Sequence, residues 1–194
     1  MTKLIVLPEN DAATTLLATT DPAEIARALA GVGVRFEQWV AAAPLGAGAS
    51  QDAMLAAYRA DVDRLAAEGG YGTVDVVGLR GDPADPAWPA QAAEARGKFL
   101  AEHTHADDEV RFFVDGRGAF YLRLAGRVHI VCCEAGDLLG VPAGTRHWFD
   151  MGTNPAFVAI RFFREPEGWV GRFTGDDIAT RFPAFDDLIA PVAG

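Results

Sequence analysis

The sequence predicts a mainly β protein with helices, an α+β fold in which an N-terminal helical portion packs against an antiparallel β-sandwich or barrel. After residue 97, short apolar runs follow one another, separated by Asp-Gly, Ala-Gly and Pro-Ala-Gly turns, a spacing typical of such β folds. Before residue 97, helical periodicities alternate with strand-like runs. With 194 residues, half of them hydrophobic, the chain can bury a sizeable core within one domain.

We expect this single domain to have three portions without a separating linker. Residues 1–96 form the helical portion, residues 97–182 form the barrel, and residues 183–194 form a short C-terminal tail. The predicted strands of the barrel are 110–114, 119–124, 128–133, 137–141, 146–151 and 157–163. The short turns between these runs favour an antiparallel arrangement.

Capping residues mark the helix boundaries in the first portion. Asp21 is a predicted N-cap, followed by proline at the first helical position, and Gly31 ends this helix. Ser50 begins a second helix that runs to about residue 68, with an apolar stripe typical of a core-facing surface. A short third helix covers residues 91–96. The predicted strands of this portion are 4–7, 34–40 and 74–79.

The composition argues against several classes of function. The formal net charge is −10 and basic residues do not cluster beyond pairs, so a nucleic-acid partner or an anionic membrane surface is not expected. The two cysteines, Cys132 and Cys133, are adjacent, which does not suit a disulfide framework and favours a reducing compartment. No apolar stretch is long enough for a signal peptide or a membrane span, so we expect a cytoplasmic protein.

The segment 97–116 contains the residues that indicate chemistry. His103 and His105 are spaced to share one face of a strand, and Glu109 follows at an even offset that returns it to the same face. Imidazole and carboxylate groups together suit first-row transition metal ions, and His147 can complete such a site from downstream. A buried core histidine is the alternative interpretation of each one alone. The fourth histidine, His129, lies outside the pattern, and we expect it on the surface of a strand.

The spacing of these residues resembles the two motifs of the cupin superfamily. The matching positions are Gly97-x5-His103-x-His105-x3-Glu109-x6-Gly116 and Gly136-x5-Pro142-x-Gly144-x2-His147. Met151 occupies a position where cupins commonly carry Asn, which leaves the ligand set whole. The resemblance implies a jelly-roll β-barrel that holds one divalent metal ion through the three histidines and the glutamate. A site with open positions is typical of catalysis, whereas a closed tetrahedral zinc site is typical of structure.

The flanking segments narrow the resemblance to the acireductone dioxygenase family. They are KFLAEHTHADDEVRFFVDGRGAFYL, HWFDMG, FVAIRFF and GWVGRFTG, at 98–122, 147–152, 157–163 and 168–175. The family implies one Fe²⁺ or Ni²⁺ per chain and cleavage by O2 of the acireductone 1,2-dihydroxy-3-keto-5-methylthiopentene in methionine salvage. It also implies different products for the two metals. These are formate and 2-keto-4-methylthiobutyrate with iron, and formate, carbon monoxide and 3-methylthiopropionate with nickel.

Two arginines are candidates for the catalytic site, one from the resemblance and one from its position in the sequence. Arg111 matches the arginine that helps to generate the substrate dianion, and its parity also places it on the strand face of Glu109. Arg161 lies within an otherwise apolar run, so its guanidinium must be paired or must face a polar cavity. A substrate contact and a structural ion pair with a strand carboxylate both remain open for Arg161.

The resemblance also assigns pocket and supporting residues. Phe99, Phe149 and Trp169 match an apolar substrate pocket, although single aromatic residues in a barrel could equally be core. Glu102 and Asp108 match acidic positions assigned to metal incorporation and to the transmission of local changes. Without the resemblance we would interpret Glu102, Asp107 and Asp108 as solvated loop charges.

Two alternatives to this function remain. One is another cupin metalloenzyme, such as a different dioxygenase or a sugar isomerase. The other is a metal-dependent cupin that binds a small molecule without chemistry, although a sensor would usually carry a DNA-binding or partner segment, which the sequence lacks. The family resemblance implies a monomer that acts on a small-molecule acireductone and O2.

Overall fold

Two antiparallel β-sheets that share one long strand form the centre of the structure, a computed structural model that describes residues 1–41, 45, 48–82 and 84–190. The strands are β1 (Lys3–Pro8), β2 (Leu17–Thr19), β3 (Arg35–Gln38), β4 (Thr73–Arg80), β5 (His103–Thr104), β6 (Glu109–Leu124), β7 (Arg127–Glu134), β8 (Asp137–Val141), β9 (Arg146–Asp150), β10 (Ala156–Phe163) and β11 (Arg172–Phe173). The helices are α1 (Pro22–Ala30), α2 (Gln51–Ala57), α3 (Arg59–Gly69), α4 (Trp88–Gly97) and α5 (Phe185–Ile189), with a 3₁₀ turn at Ile178–Arg181.

The first sheet has the strand order β2-β1-β7-β6-β9-β5-β11, and the second has the order β3-β8-β6-β10-β4. The mainly β fold with helices is therefore confirmed. The expectation of a barrel needs correction, because no pairing among the described strands joins the edges, and the sheet does not close. Helix α1 contributes Ile25 and Leu29 to the core, so helical side chains help to fill the space between the sheets.

Strand β6 corrects the prediction of two strands separated by a turn. It runs without interruption through Gly116, pairing with β8 and β10 before this residue and with β7 and β9 beyond it. Gly116 has a φ of 73°, and a Cβ at this position would lie 1.8 Å from the carbonyl oxygen of Ala156. Only glycine fits both constraints, so the residue that suggested a turn instead carries the strand from one sheet to the other.

The N-terminal portion follows its capping signals. Asp21 caps α1 by accepting hydrogen bonds from the backbone N–H groups of Ala23 and Glu24, at 2.8 and 2.9 Å. The predicted helix after Ser50 is divided into α2 and α3 at Tyr58, whose φ of −115° and ψ of 19° depart from helical values. The Tyr58 ring packs edge-on against Phe112 of β6, so tertiary packing accompanies the break.

The apolar residues form three clusters related to the two sheets. The space between the sheets contains Phe113, Phe120 and Val131. The outer face of the second sheet packs on α2 and α3. The outer face of the first sheet is covered by the C-terminal segment, whose buried residues include Ile178 and Phe185. The predicted tail therefore contains a helix, although residues 191–194 and part of the Ala/Gly-rich loop at 44–49 lie outside the described residues.

No described helix is long and apolar enough to span a membrane.

His129 is buried, which contradicts its expected surface position. It lies in β7 between β1 and β6, opposite Val6 and Leu122, and only 4% of its surface is exposed. Among the described residues its Nδ1 has no hydrogen-bond partner. Burial lowers the pKa of His129 below the usual value, because a charged imidazole would lose its solvation there.

This burial predicts a contribution of His129 to acid sensitivity. In the unfolded chain, His129 takes up a proton below about pH 6.5, whereas in the folded protein its lowered pKa disfavours protonation. The free energy of unfolding therefore falls as the pH drops through this range. In His129→Gln, the thermal unfolding midpoint should decline less between pH 7.5 and pH 5 than in the wild type, because the variant lacks this titrating group. The other three histidines are present in both proteins, so their effects cancel in the comparison. Parallel decline in the two proteins would contradict the assignment.

Candidate metal centre

Four ligand side chains converge between the two sheets. His103 lies in β5, His105 follows in a loop, Glu109 begins β6, and His147 lies in β9 directly opposite His103. One ligand atom from each of the four lies within 4.8 Å of the others, and all four side chains are buried. The predicted residues therefore meet, but not on one strand as the spacing suggested, because β5 ends at Thr104 and a loop separates it from β6.

Backbone carbonyls orient two of the imidazoles. Nδ1 of His103 donates to the carbonyl oxygen of Ala101, and Nδ1 of His147 donates to that of Thr145, each at 2.8 Å. Because a carbonyl oxygen can only accept, the proton of each neutral ring is on Nδ1 and the Nε2 lone pair is free to bind a metal. These are the tautomers that a metal site requires.

The closest contact within the cluster also fits a cation. Nε2 of His147 lies 2.6 Å from Oε2 of Glu109, and Nε2 of His105 lies 3.4 Å from the same oxygen. In a neutral His147 with its proton on Nδ1, both atoms of the shorter contact are acceptors. They therefore need a positive charge between them, either a shared proton or a metal ion. The donor set of three imidazoles and one carboxylate suits a first-row transition ion.

The pKa shifts favour the ligand protonation states that metal binding needs. Burial opposes ionisation of Glu109, but the charge of Arg111 and hydrogen bonds from His105 and His147 outweigh it, so the pKa of Glu109 lies well below its usual value. Burial, together with the proximity of His147, lowers the pKa of His103 to about 4. His105 is the exception: burial would lower its pKa, but its contact with Glu109 raises the net value, so protonation competes with metal binding at this ligand.

Arg111 places a buried cation beside the cluster, as its strand parity predicted. Its Nη2 lies 2.6 Å from Oε1 of Glu109. Its guanidinium carbon lies 5.6, 5.5 and 5.1 Å from the ring centroids of Phe99, Phe120 and Phe149. Such aromatic surroundings exclude water and strengthen the field of the charge.

A cavity of about 270 Å³ opens beside two of the ligands. Its lining residues are Lys98, Phe99, His103, His105, Trp169, Gly171 and Phe173. Two of the three aromatic residues expected in a pocket therefore line it, whereas Phe149 lies behind Arg111 and packs on Phe120, with ring centroids 4.7 Å apart. Lys98 and Phe173 were not identified from the sequence, although Phe173 lies within the GWVGRFTG segment.

The structure gives Arg161 a partner. Its Nε and Nη2 donate to the two carboxylate oxygens of Asp75 at 2.9 and 2.8 Å. Cross-strand pairing places Arg161 between Asp75 of β4 and Arg111 of β6. The ion pair with a strand carboxylate, one of the two alternatives, is therefore present, while a catalytic role for Arg161 stays a prediction.

The acidic residues around the ligands are not the solvated loop charges that the sequence alone suggested. Glu102 and Asp107 are buried, and Asp108 is partly buried. Both aspartates contact the Arg164 guanidinium, Asp107 through Nη1 at 2.9 Å and Asp108 through Nη2 at 2.6 Å. Glu102 contacts Arg123 and Thr174. Each carboxylate therefore ties the loop that carries the ligands to another part of the chain.

Comparisons with known proteins agree on one family. The family model described as "ARD/ARD' family" matches residues 4–171. The chain is 62% identical over 186 residues to an acireductone dioxygenase of Parvibaculum lavamentivorans, covering 96% of this chain and 98% of the relative. It is 56% identical over 187 residues to one of Pseudomonas aeruginosa, covering 96% and 100%. The solved structure of acireductone dioxygenase from Bacillus anthracis, with a cadmium ion in its active centre, is similar with a TM-score of 0.75 and 28% identity, over 89% of this chain and 98% of that one.

The ligand assignment predicts which histidines control metal content. His105→Ala and His147→Ala should each lose most of the bound metal while remaining folded, because a site with one imidazole fewer binds the ion more weakly. His129→Gln, which changes a buried histidine outside the cluster, is the matched control and should retain its metal. The measurement is elemental analysis of the purified proteins alongside circular dichroism. Full metal content in both alanine variants would refute the assignment.

Proposed function

The chain belongs to the ARD/ARD' family of acireductone dioxygenases, and on this basis we propose that it is a metal-dependent dioxygenase that cleaves an acireductone with O2. The substrate we propose is 1,2-dihydroxy-3-keto-5-methylthiopentene, the acireductone of methionine salvage. The observation that carries the proposal is the buried cluster of His103, His105, Glu109 and His147, with Arg111 and an apolar cavity beside it. A purely structural metal site would not need such a cavity.

His103, His105, Glu109 and His147 would hold the ion, and four protein ligands would leave it open to substrate. A bound iron or nickel ion would supply Lewis acidity for an enediol and an electronic route to dioxygen. The protein supplies the ligand states, since Glu109 is held ionised and His103 is held neutral. The buried position of all four ligands also excludes bulk water from the reacting groups.

Arg111 stabilises the negative charge of the ionised enediol in this proposal. A positioned cation in a low-dielectric pocket is effective because it is oriented before the charge develops. One guanidinium nitrogen of Arg111 is engaged by Glu109, whereas the buried Nε has no partner among the described residues. Arg111 therefore retains a donor for a further anionic group.

The cavity wall suits the methylthio side chain of such a substrate. Phe99 and Trp169 provide apolar surface, and 53% of the Trp169 surface is exposed at the cavity mouth. Burial of this aromatic surface by a thioether would be favourable. Phe149 contributes by packing behind Arg111. The acidic residues Glu102 and Asp108 support the ligand-bearing loop.

We further propose that the site takes one Fe²⁺ or Ni²⁺ ion, since three imidazoles and a carboxylate suit both. We also propose a single domain that works as a monomer in the cytoplasm. In support, α1 shares one core with the strands, and Cys132 and Cys133 are buried free thiols, as a reducing compartment allows. The net charge of −10 gives no support for a nucleic-acid partner.

The test of this function is oxygen uptake by the metal-loaded protein when an acireductone is supplied. The stripped protein, reloaded separately with Fe²⁺ and with Ni²⁺, should consume O2 in both forms. The iron form should yield formate and 2-keto-4-methylthiobutyrate, and the nickel form should yield formate, carbon monoxide and 3-methylthiopropionate. Gas and organic-acid analysis distinguishes these outcomes. Identical products would contradict metal-dependent chemistry, and no uptake by either form would favour a non-catalytic metal-binding protein.

The two arginines provide a matched pair of variants. Arg111→Ala should keep its metal but lower kcat/KM by about 10²–10³-fold (about 3–4 kcal/mol), because it removes a preorganised charge. Arg161→Ala leaves Asp75 without its partner, so a structural role predicts a lower unfolding temperature and normal turnover. Steady-state kinetics and thermal unfolding of both variants separate these effects. Normal kcat/KM in Arg111→Ala would contradict its assigned role.

A further inference from the structure

A cluster of charges lies on the outer face of the first sheet, behind the metal ligands. Arg123 of β6 contacts three carboxylates, with Nε 3.1 Å from Glu9 and Nη1 3.2 Å from Glu102 and 2.8 Å from Asp176. The Arg123 side chain is largely buried. We call these four residues the Arg123 cluster. Its arginine follows Leu122, which faces His147 in the cross-strand register.

Glu102 connects this cluster to the metal centre. It directly precedes His103, and because neighbouring residues of an extended chain point to opposite faces, His103 faces the ligands while Glu102 faces outward. The Glu102 carboxylate is completely buried, where it requires a compensating cation and hydrogen bonds. Arg123 provides the cation, and Thr174 donates a hydroxyl hydrogen bond at 2.7 Å.

The same cluster holds the segment that covers the centre. We call residues 171–176 the strap. Its Phe173 pairs with His103 in the β5–β11 register, and the two rings are 5.7 Å apart. The strap packs closely there, since a Cβ on Gly171 would lie 3.3 Å from Cδ2 of His103. The backbone N–H of Thr174 donates to the carbonyl oxygen of Glu102 at 3.0 Å, and Asp176 ends the strap at Arg123.

One nitrogen of Arg123 therefore connects the two segments next to His103, namely the residue before it in the chain and the strap that pairs with it. Glu102, which directly precedes β5, and Asp176 on the strap accept from the same Nη1. Two carboxylates held this close repel each other unless a cation lies between them. Arg181 also contacts Asp176, at 3.3 Å, but only Arg123 contacts both carboxylates among the described residues. Loss of its guanidinium would therefore weaken the link between the strap and the segment that carries His103.

We propose that Arg123 is a positioning residue of the metal centre. By holding Glu102 and Asp176 together on the outer face of the sheet, Arg123 fixes the orientation of the His103 imidazole on the inner face. It also keeps the strap, with Phe173, packed against His103. Glu9 contacts Nε of the same guanidinium, and no hydrogen bond or ion pair among the described residues joins it to Glu102 or the strap. The inference rests on the proposed function only in that it takes the four-ligand cluster to be the working metal site.

The test compares Arg123→Gln with Arg123→Lys and with Glu9→Gln in the metal-loaded protein, without substrate. In Arg123→Gln, metal release to a chelator should be at least about tenfold faster, as is usual when a group that orients a ligand is lost. Hydrogen exchange of the Thr174 amide should accelerate as well. Arg123→Lys should recover part of both effects, because it restores a cation. Glu9→Gln should resemble the wild type.

The proposal is overturned if loss of Arg123 lowers stability without affecting metal release or the strap. If Arg123→Gln unfolds at a lower temperature but releases metal and exchanges the Thr174 amide at wild-type rates, Arg123 is structural only. Asp176→Asn provides a second check, since it weakens the strap contact and leaves Glu102 paired. It should accelerate Thr174 exchange more than metal release, and unchanged exchange would count against the proposal. These readouts do not depend on turnover, so they are independent of the oxygen-uptake test.

Discussion

The buried charge of Glu109 is the constraint on which the centre of this protein depends. An ionised carboxylate between two sheets is costly unless cations and hydrogen-bond donors face it. Arg111 faces one of its oxygens, and the imidazoles of His105 and His147 face the other. The two imidazoles that stabilise this charge also belong to the ligand cluster, and His105 lines the adjoining cavity. Charge balance and function are therefore met by one set of contacts.

The two faces of the first sheet have different roles: one carries metal ligands and the other carries the contacts that support them. The inner face carries His103 and His147 and borders the cavity, whereas the outer face carries buried ion pairs and the packed C-terminal segment. Alternation along an extended chain makes this division possible, because Glu102 and His103 point in opposite directions. A rigid sheet with supporting contacts on its far side can hold imidazoles within the narrow tolerances that coordination requires.

Local signals predicted the elements that have a local cause. The cap at Asp21 defines the start of α1, and the period of two in β6 places Arg111 beside Glu109. Elements that depend on distant partners were missed. Strands β2 and β11 have three and two residues and carry no periodicity, β5 ends before His105, and a continuous strand passes through Gly116 where a turn was expected. Elements set by distant partners are missed because a glycine in the sequence indicates only which backbone conformations are allowed, and not which residues pack there.

By itself, the sequence determined the identity of the four ligands, the cation beside them and the class of metal ion they suit, because residue type and spacing carry that chemistry. Only the tertiary structure decided which charges are buried and with which partners. His129 is buried on β7, which pairs with β1 and β6, Arg161 of β10 meets Asp75 of the neighbouring β4, and Glu102 meets Arg123 of β6. The two ion pairs join residues 86 and 21 positions apart, and the pairing of strands brings such residues together.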